Sequence, residues 1–318
     1  MTRKRQPKEN AGRKPQSTLA GEPSRSRGNR ENRIDRENPE NQSSPNARND
    51  RKTRNTQKPR ESVDMQRIER NQEELLYGKH AIHALQELPE RIQHLYLQEE
   101  KQEEEKELLA LAAERGIPCS VLDRHQMYQL LGDAKHQGMA AAMLPVPTVP
   151  FDEWVGTQES SAEPALVVVL DHIQDPQNMG AVIRTAEVAG AQGVLFPERR
   201  GVSPTEAVVR ASAGAALRVP LLQCVNLPRA LQDLQNLGFW TMGMDPASPN
   251  LLWESTSLPL RLALVLGSEG KGLSRLVAER CDELAALPML GSTGSLNVSA
   301  AAAVGIFEWV REVRKKKV

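Results

Sequence analysis

Glycines and small polar residues cluster in two loops near the end of the chain, and their spacing is typical of a ligand-binding crevice. The first loop follows the apolar run Leu262–Leu266, and the second, residues 291–295, lies between the run Leu284–Leu287 and an alanine-rich helix. Ligands of open α/β sheets bind where strands end in such loops, because unpaired backbone groups can serve the ligand there. Gly267, Gly270 and Gly272 also let a ligand approach the backbone closely.

Neither loop fits a nucleotide-phosphate motif. The phosphate loop of nucleotide-binding enzymes needs a glycine, four residues and then Gly-Lys-Ser/Thr, whereas Gly270-Lys271 is followed by Gly272 and has Val265 at the first position. The dinucleotide pattern GxGxxG after a strand is missing as well. Each loop taken alone could be an ordinary connection between a strand and a helix.

Short apolar runs separated by helical patterns predict the sheet that carries these loops. Residues 165–170 read ALVVVL without alternation, as expected for a strand covered on both faces. The pattern favours a parallel, helix-flanked sheet over residues 164–318. The further runs are Gly193–Phe196, Val219–Leu222, Phe239–Met244, Leu262–Leu266 and Leu284–Leu287.

The helix after the first of these strands carries the polar residues of a third stretch, DHIQDPQNMGAVIRTAEVAG (171–190). We expect Asn178 to cap this helix, and Gly190 to end it. Arg184 lies beside the buried stripe, and on the residues alone it could simply form a surface salt bridge with Glu187. The stripe comprises Met179, Val182, Ile183, Ala186 and Ala189.

Residues 73–145 predict a small α/β domain, which is long enough to fold. We expect a helix over Glu73–Leu88, and strands and short helices thereafter, with each cysteine of the chain buried as a small apolar residue. Three prolines between 145 and 150 then predict a stiff linker, 146–163, that holds the domain at a distance from the next.

The net charge of zero conceals a basic tail on an acidic body. Residues 1–70 contain 19 Lys/Arg and 10 Asp/Glu, and the rest of the chain contains 22 and 31. With almost no apolar residues, segment 1–72 is predicted to be disordered and to contact a polyanion, although it could be only a solubilising tail. The chain shows no secretory, transit or membrane-spanning pattern, so we expect a cytoplasmic protein. Three isolated cysteines and the histidine spacing indicate no metal site.

Three segments in order, 171–190, LVLGSEGKGLS (264–274) and PMLGSTGSLNVS (288–299), resemble the motifs of the SpoU (TrmH) branch of the SPOUT superfamily. The members of that family are RNA ribose 2′-O-methyltransferases that use S-adenosylmethionine, so the resemblance implies this activity and this cofactor. It also implies a SPOUT-type parallel sheet closed by a C-terminal trefoil knot, a homodimer that pairs near the cofactor site, and an RNA substrate. The opening LLYGKHAIHAL and the HQG at 136–138 resemble the family's small substrate-binding domain.

The resemblance implies roles for ten residues. Because a free guanidinium does not lose its proton near neutral pH, we expect Arg184 to bind the target phosphate and orient the ribose hydroxyl. Glu269 could hold Asn178 in place. The family's catalytic positions fall on Asn178, Arg184, Glu269, Asn297 and Ser299. Its cofactor contacts fall on the main chain around Gly267, Leu287 and Leu296, with apolar contact from Met289 and Leu290.

The small N-terminal domain favours ribosomal RNA, and a guanosine of 23S rRNA in particular, by analogy with the family. Two alternatives remain open on the sequence: a tRNA 2′-O-methyltransferase, and an RNA-binding ribosome-assembly factor that has kept the fold without catalysis.

Overall fold

The structure is a computed structural model that describes residues 75–158, 163–199, 201–254, 258–292 and 294–316. The predicted tail, 1–72, lies outside these residues. Two sheets organise the described chain. One has four strands in the order β1-β4-β2-β3, and the other has seven in the order β11-β9-β10-β6-β7-β8-β5.

The four-stranded sheet belongs to a small α/β unit. Strand β1 pairs antiparallel with β4, β4 pairs antiparallel with β2, and β2 pairs parallel with β3. Three helices complete the unit. The strands are β1 (Leu75–Tyr77), β2 (Ile92–Gln98), β3 (Cys119–Leu122) and β4 (Met139–Met143), and the helices are α1 (Lys79–Leu85), α2 (Lys106–Glu114) and α3 (Arg124–Leu131).

The predicted helix over 73–88 is wrong at its start. Leu75 and Leu76 are buried in strand β1, which pairs with β4, and helix α1 begins only at Lys79. Gly78 separates the two elements with a φ of 93°, a conformation that costs glycine little. The prediction that every cysteine is buried also fails at Cys119, which is exposed on the edge strand β3.

All neighbouring strands of the seven-stranded sheet run parallel. Its strands are β5 (Val149–Pro150), β6 (Ala165–Asp171), β7 (Gly193–Pro197), β8 (Leu221–Cys224), β9 (Trp240–Met244), β10 (Arg261–Gly267) and β11 (Glu283–Ala285). Helices α4 (Phe151–Gly156), α5 (Pro176–Val188), α6 (Glu206–Ala211), α7 (Leu227–Asn236), α8 (Arg275–Arg280) and α9 (Val298–Lys316) surround it. The predicted parallel, helix-flanked sheet is therefore confirmed.

Strand β6 shows why its sequence lacks alternation. Every residue from Ala165 to Asp171 is buried. Val167 and Val169 belong to the core on one face of the sheet, with α4 and α7, whereas Leu166 and Val168 belong to the core on the other, with α5 and α9. Because both faces are covered, apolar residues are needed at consecutive positions.

The predicted linker contains regular structure. Residues 149–150 form the edge strand β5, and helix α4 follows, with Phe151 2% and Trp154 7% exposed in the core of the large sheet. Prolines are compatible with this position because an edge strand needs fewer backbone donors.

The small unit packs directly against the large one, contrary to the expected separation. The guanidinium of Arg210, on α6, donates to the carbonyl of Leu75 at 3.0 Å and lies 4.1 Å from the ring centroid of Tyr77. Nearby, the backbone at Gly214 approaches α1 so closely that a Cβ there would lie 2.1 Å from the Cβ of Ala84. Hydrogen bonding, cation–π contact and close backbone packing thus hold the two units together.

Candidate active site

A crevice of about 160 Å³ opens at the carboxyl ends of β9, β10 and β11. This is where parallel sheets bind ligands, because the strand ends leave backbone groups free for them. Its wall is mainly apolar, with a carboxylate at Asp245 and another at Glu269. The lining residues are Met244, Asp245, Pro246, Leu266, Gly267, Ser268, Glu269, Gly270, Gly272, Ala285, Leu287, Met289, Ser295, Leu296, Val298 and Ala301.

The loop after β10 folds tightly back on itself. Ser268 and Gly272 exchange backbone hydrogen bonds of 3.0 and 2.9 Å. A Cβ on Gly267 would lie 2.2 Å from the carbonyl carbon of Gly272, so only glycine fits there. The tight turn places the side chain of Glu269 between this crevice and the start of α5.

A chain of side-chain hydrogen bonds joins all three sequence segments. Asn178, on α5, donates from Nδ2 to Glu269 Oε2 at 3.2 Å and accepts at Oδ1 from Asn297 Nδ2 at 2.9 Å. Asn297 Oδ1 in turn accepts from the backbone N–H of Ser299 at 2.8 Å and from its hydroxyl at 2.6 Å. The side chain of Asn178 is almost fully buried, with 8% exposure. Segments that are about 90 and 119 residues apart in sequence thus meet at one amide.

The predicted cap of helix α5 is wrong by three residues. Asp175 occupies the N-cap, and its carboxylate accepts from the backbone N–H of Gln177 and of Asn178. Pro176 takes the first helical position, where a missing N–H costs nothing. This arrangement frees the Asn178 side chain for Glu269 and Asn297. At the start of α9, the Asn297 side chain accepts from the backbone N–H of Ser299, as an N-cap residue does.

A second cavity, of about 560 Å³, adjoins the crevice. The two share Ser268, Glu269, Gly272 and Val298. The second is more polar, and its wall includes the end of β6, the start of α5 and the loop after β10. Its further lining residues are Asp171, His172, Ile173, Gln174, Asp175, Asn178, Lys271, Leu273 and Ser274. Two ligands in these cavities would therefore lie side by side.

Arg184 is exposed and lies away from both cavities. It follows Asn178 by six residues on α5, which turns its side chain about 120° around the helix axis from that of Asn178. It lines a separate cleft with α1 residues, among them His80 and His83. A salt bridge to Glu187, the alternative on the residues alone, is absent among the described residues, and Arg218 binds that carboxylate at 2.9 Å.

The structure thus brings most of the sequence-predicted residues together within one chain. The crevice is lined by Gly267, Glu269, Leu287, Met289 and Leu296. Asn178, Asn297 and Ser299 are connected to it through the hydrogen-bond chain. Leu290 does not supply the expected apolar contact, since it is 100% exposed, and Thr293 lies outside the described residues.

Sequence reasoning assigned no role to Asp245 or to the pair Asp171 and His172. The places of these three residues in the sequence could have indicated a role in the site. Asp245 directly follows strand β9, and Asp171 and His172 stand at the end of β6, where a parallel sheet presents its ligand-binding residues.

No group of three or more His, Cys, Asp or Glu side chains in the described ranges is arranged to hold a metal ion. None of the helices in those ranges combines the length and the apolar character that crossing a membrane requires.

Comparison with known proteins agrees with this geometry. The profile of the SpoU rRNA Methylase family matches residues 165–307, and that of the RNA 2′-O ribose methyltransferase substrate-binding family matches residues 75–148. The chain is 38% identical over 252 residues to the 23S rRNA (guanosine-2′-O-)-methyltransferase RlmB of Pseudomonas putida KT2440. The alignment covers 78% of this chain and 100% of that protein.

Solved structures share the fold. An AdoMet-bound rRNA methyltransferase from Sinorhizobium meliloti superposes with a TM-score of 0.61 and 23% identity, over 77% of this chain and 90% of that chain. The SpoU methyltransferase AviRb from Streptomyces viridochromogenes, in complex with AdoMet, gives a TM-score of 0.62 and 21% identity, over 77% and 91%.

Proposed function

Because the chain belongs to the SpoU rRNA methylase family, we propose that it transfers a methyl group from S-adenosylmethionine to the 2′-hydroxyl of a guanosine ribose in 23S rRNA. The observation that carries this proposal is the convergence of the three sequence segments on Asn178. The base and the RNA follow from the similarity to RlmB. A ribosomal RNA substrate also favours a cytoplasmic location.

The crevice beside Gly267 suits S-adenosylmethionine. Main-chain groups at the ends of β10 and β11 can bind the polar parts of the cofactor, and Leu287, Met289 and Leu296 can pack against its apolar parts. The carboxylates of Asp245 and Glu269 can accept hydrogen bonds from hydroxyl or ammonium groups. When bound, S-adenosylmethionine supplies an electrophilic methyl group on a sulfonium.

The adjoining cavity suits the target ribose. Its wall is shared with the cofactor crevice, so a hydroxyl bound there can face the methyl group for in-line attack. Asn178, Glu269, Asn297 and Ser299 fix the loops that form this wall and can hydrogen-bond the ribose. The small unit, over about 73–145, would bind RNA further from the reacting atoms, as the match to the substrate-binding family supports.

We propose that Arg184 completes the site of a second copy in a homodimer. Within one chain its guanidinium lies outside the two cavities, yet it is exposed and has no ion-pair partner among the described residues. Large apolar side chains are also exposed on the two helices that pack together here, at Val188 (66%) on α5 and Phe307 (48%) on α9. A two-fold interface over these helices would cover them and deliver Arg184 to the partner's ribose cavity, where it would bind the phosphate next to the target ribose.

The chain path supports the trefoil knot that the family implies. Strand β10 lies between β9 and β6, β11 lies on the far side of β9, and α9 then returns to pack on β10 and α5. This return of the chain towards β10 after residue 285 is the observation that supports the proposed knot.

A transfer assay tests the reaction and its substrate. Purified protein with labelled S-adenosylmethionine should methylate 23S rRNA from a strain that lacks the gene, and mapping should find one 2′-O-methylguanosine. If only tRNA is labelled, the substrate is tRNA and not ribosomal RNA. If no RNA is labelled, the chain is a non-catalytic RNA-binding factor.

Mixing two inactive variants tests the dimer. Arg184→Ala should abolish turnover while S-adenosylmethionine still binds. An equal mixture of Arg184→Ala and Asn297→Ala chains, refolded together, should regain about a quarter of wild-type activity, because half of the dimers carry one intact composite site. If Arg184 acts within its own chain, the mixture stays inactive.

A further inference from the structure

We propose that His172 accepts the proton of the ribose 2′-hydroxyl, with Asp171 orienting its imidazole. This assignment rests on the proposed methyl transfer and adds to it the group that removes the proton.

The backbone of His172 is held in a left-handed conformation. Its φ is 60°, and it is one of only three residues other than glycine with a positive φ in the described chain. Residues with a Cβ adopt this conformation rarely, and they keep it when the surrounding structure requires it, often at active sites. Here the conformation lets β6 end with the side chains of residues 171 and 172 against each other.

Asp171 is a fixed acceptor for the imidazole. Its side chain is 1% exposed, and Oδ2 accepts from the backbone N–H of Ser274 at 2.5 Å. Its other oxygen, Oδ1, contacts Nδ1 of His172. Since an ionised carboxylate only accepts hydrogen bonds, the contact requires a proton on Nδ1. A neutral imidazole then carries its lone pair on Nε2, which is the nitrogen that can take a proton.

The imidazole is partly exposed, at 32%, and lines the ribose cavity with Asn178 and Glu269. Because this cavity shares its wall with the cofactor crevice, a hydroxyl that faces the methyl donor also lies beside His172. The dyad of a buried carboxylate and an accessible imidazole is the arrangement by which enzymes activate hydroxyl groups.

The other charged groups around the cavity are less suited to this role. Asp175 accepts from two backbone N–H groups at the start of α5, and Glu269 accepts from Asn178. Lys271, on the loop after β10, is a donor without a lone pair when charged. His172 differs from these groups because its neutral imidazole keeps a nitrogen lone pair that can take a proton.

The step balances as a single displacement. The 2′-oxygen forms a bond to the methyl carbon as the bond from that carbon to sulfur breaks, and the sulfur keeps the electron pair and leaves as a neutral thioether. The O2′–H bond breaks at the same time, and the proton passes to Nε2. The resulting imidazolium is stabilised by Asp171 and later loses the proton to water.

Replacing His172 with glycine tests the assignment, because glycine accepts the local φ and leaves a space that free imidazole can fill. In the wild type, the single-turnover rate should rise with increasing pH, since only an unprotonated Nε2 can accept the proton. The rate of His172→Gly should be about 100- to 10,000-fold lower and should no longer depend on pH in this way. The variant should bind S-adenosylmethionine as the wild type does. Added imidazole should restore part of the rate and the rise with pH.

Two controls make the outcome decisive. The matched substitution His125→Gly, at an exposed histidine on α3, should keep the wild-type pH profile once its fold is verified. In the cofactor-free protein, nitrogen NMR shifts of the His172 ring should report a proton on Nδ1. A rate that falls with increasing pH, an active His172→Gly, or a loss that imidazole does not rescue would each overturn the proposal. A wild type inactive on every RNA would instead overturn the proposed function.

Discussion

Replacing Asn178 with alanine removes the amide on which the three segments of the site converge. The substitution deletes the bond to Asn297 and the bond to the carboxylate of Glu269, both at a side chain that is 8% exposed. A hydrogen bond between neutral groups contributes about 1 kcal/mol to stability, and one to a charged group about 2 kcal/mol. We therefore expect the free energy of unfolding to fall by about 3 kcal/mol.

Thermal and urea unfolding measure this loss. For a folded unit of this size, each kcal/mol corresponds to about 2–4 °C, so the Tm should fall by about 6–12 °C. The matched control is Gln177→Ala, at the neighbouring exposed position, whose bond to Asp175 comes from its backbone. That variant should change the free energy of unfolding by less than about 0.5 kcal/mol. If the two variants unfold at the same temperature, Asn178 does not connect the loops in solution.

Three further expectations concern other parts of the molecule. Gly267→Ala should weaken S-adenosylmethionine binding in titration calorimetry at least about tenfold, because its Cβ would collide with Gly272, whereas Gly156→Ala, with open space around it, should not. Burial raises the pKa of all three thiols, to about 12 at Cys224 and Cys281, but Cys119 is the exposed one, so a thiol reagent at pH 8 should label Cys119 first in the native protein and the other two only on unfolding; rapid labelling of all three would contradict this. Deleting residues 1–70 should weaken RNA binding most at low salt, and equal affinity across a salt series would remove the tail from RNA binding.

The large sheet was predictable because its signal is local. Seven consecutive buried residues in β6 require two covered faces, and the sequence shows this directly. Strand β1 was missed for the opposite reason. Its partner β4 lies more than sixty residues away, and two adjacent leucines at 75 and 76 fit a helix as well as a strand buried on both faces.

The site was predictable in its members but only partly in its geometry. The bond between Glu269 and Asn178 was expected, and Asp175 could have been identified as the cap from the proline that follows it. The position of Arg184 could not be inferred, because the face on which a helical residue ends depends on the packing of the whole helix. A partner copy, if it completes the site, leaves no pattern in a single sequence.

The shared wall between the two cavities has a consequence for the order of binding. Ser268, Glu269, Gly272 and Val298 contribute to both cavities, so a ligand that orders them in one cavity would reduce the entropy lost when the other cavity is filled. By thermodynamic reciprocity, the factor by which the methyl donor tightens RNA binding equals the factor by which RNA tightens binding of the donor. Coupling through this wall would let the protein hold both reactants together more readily than either one alone.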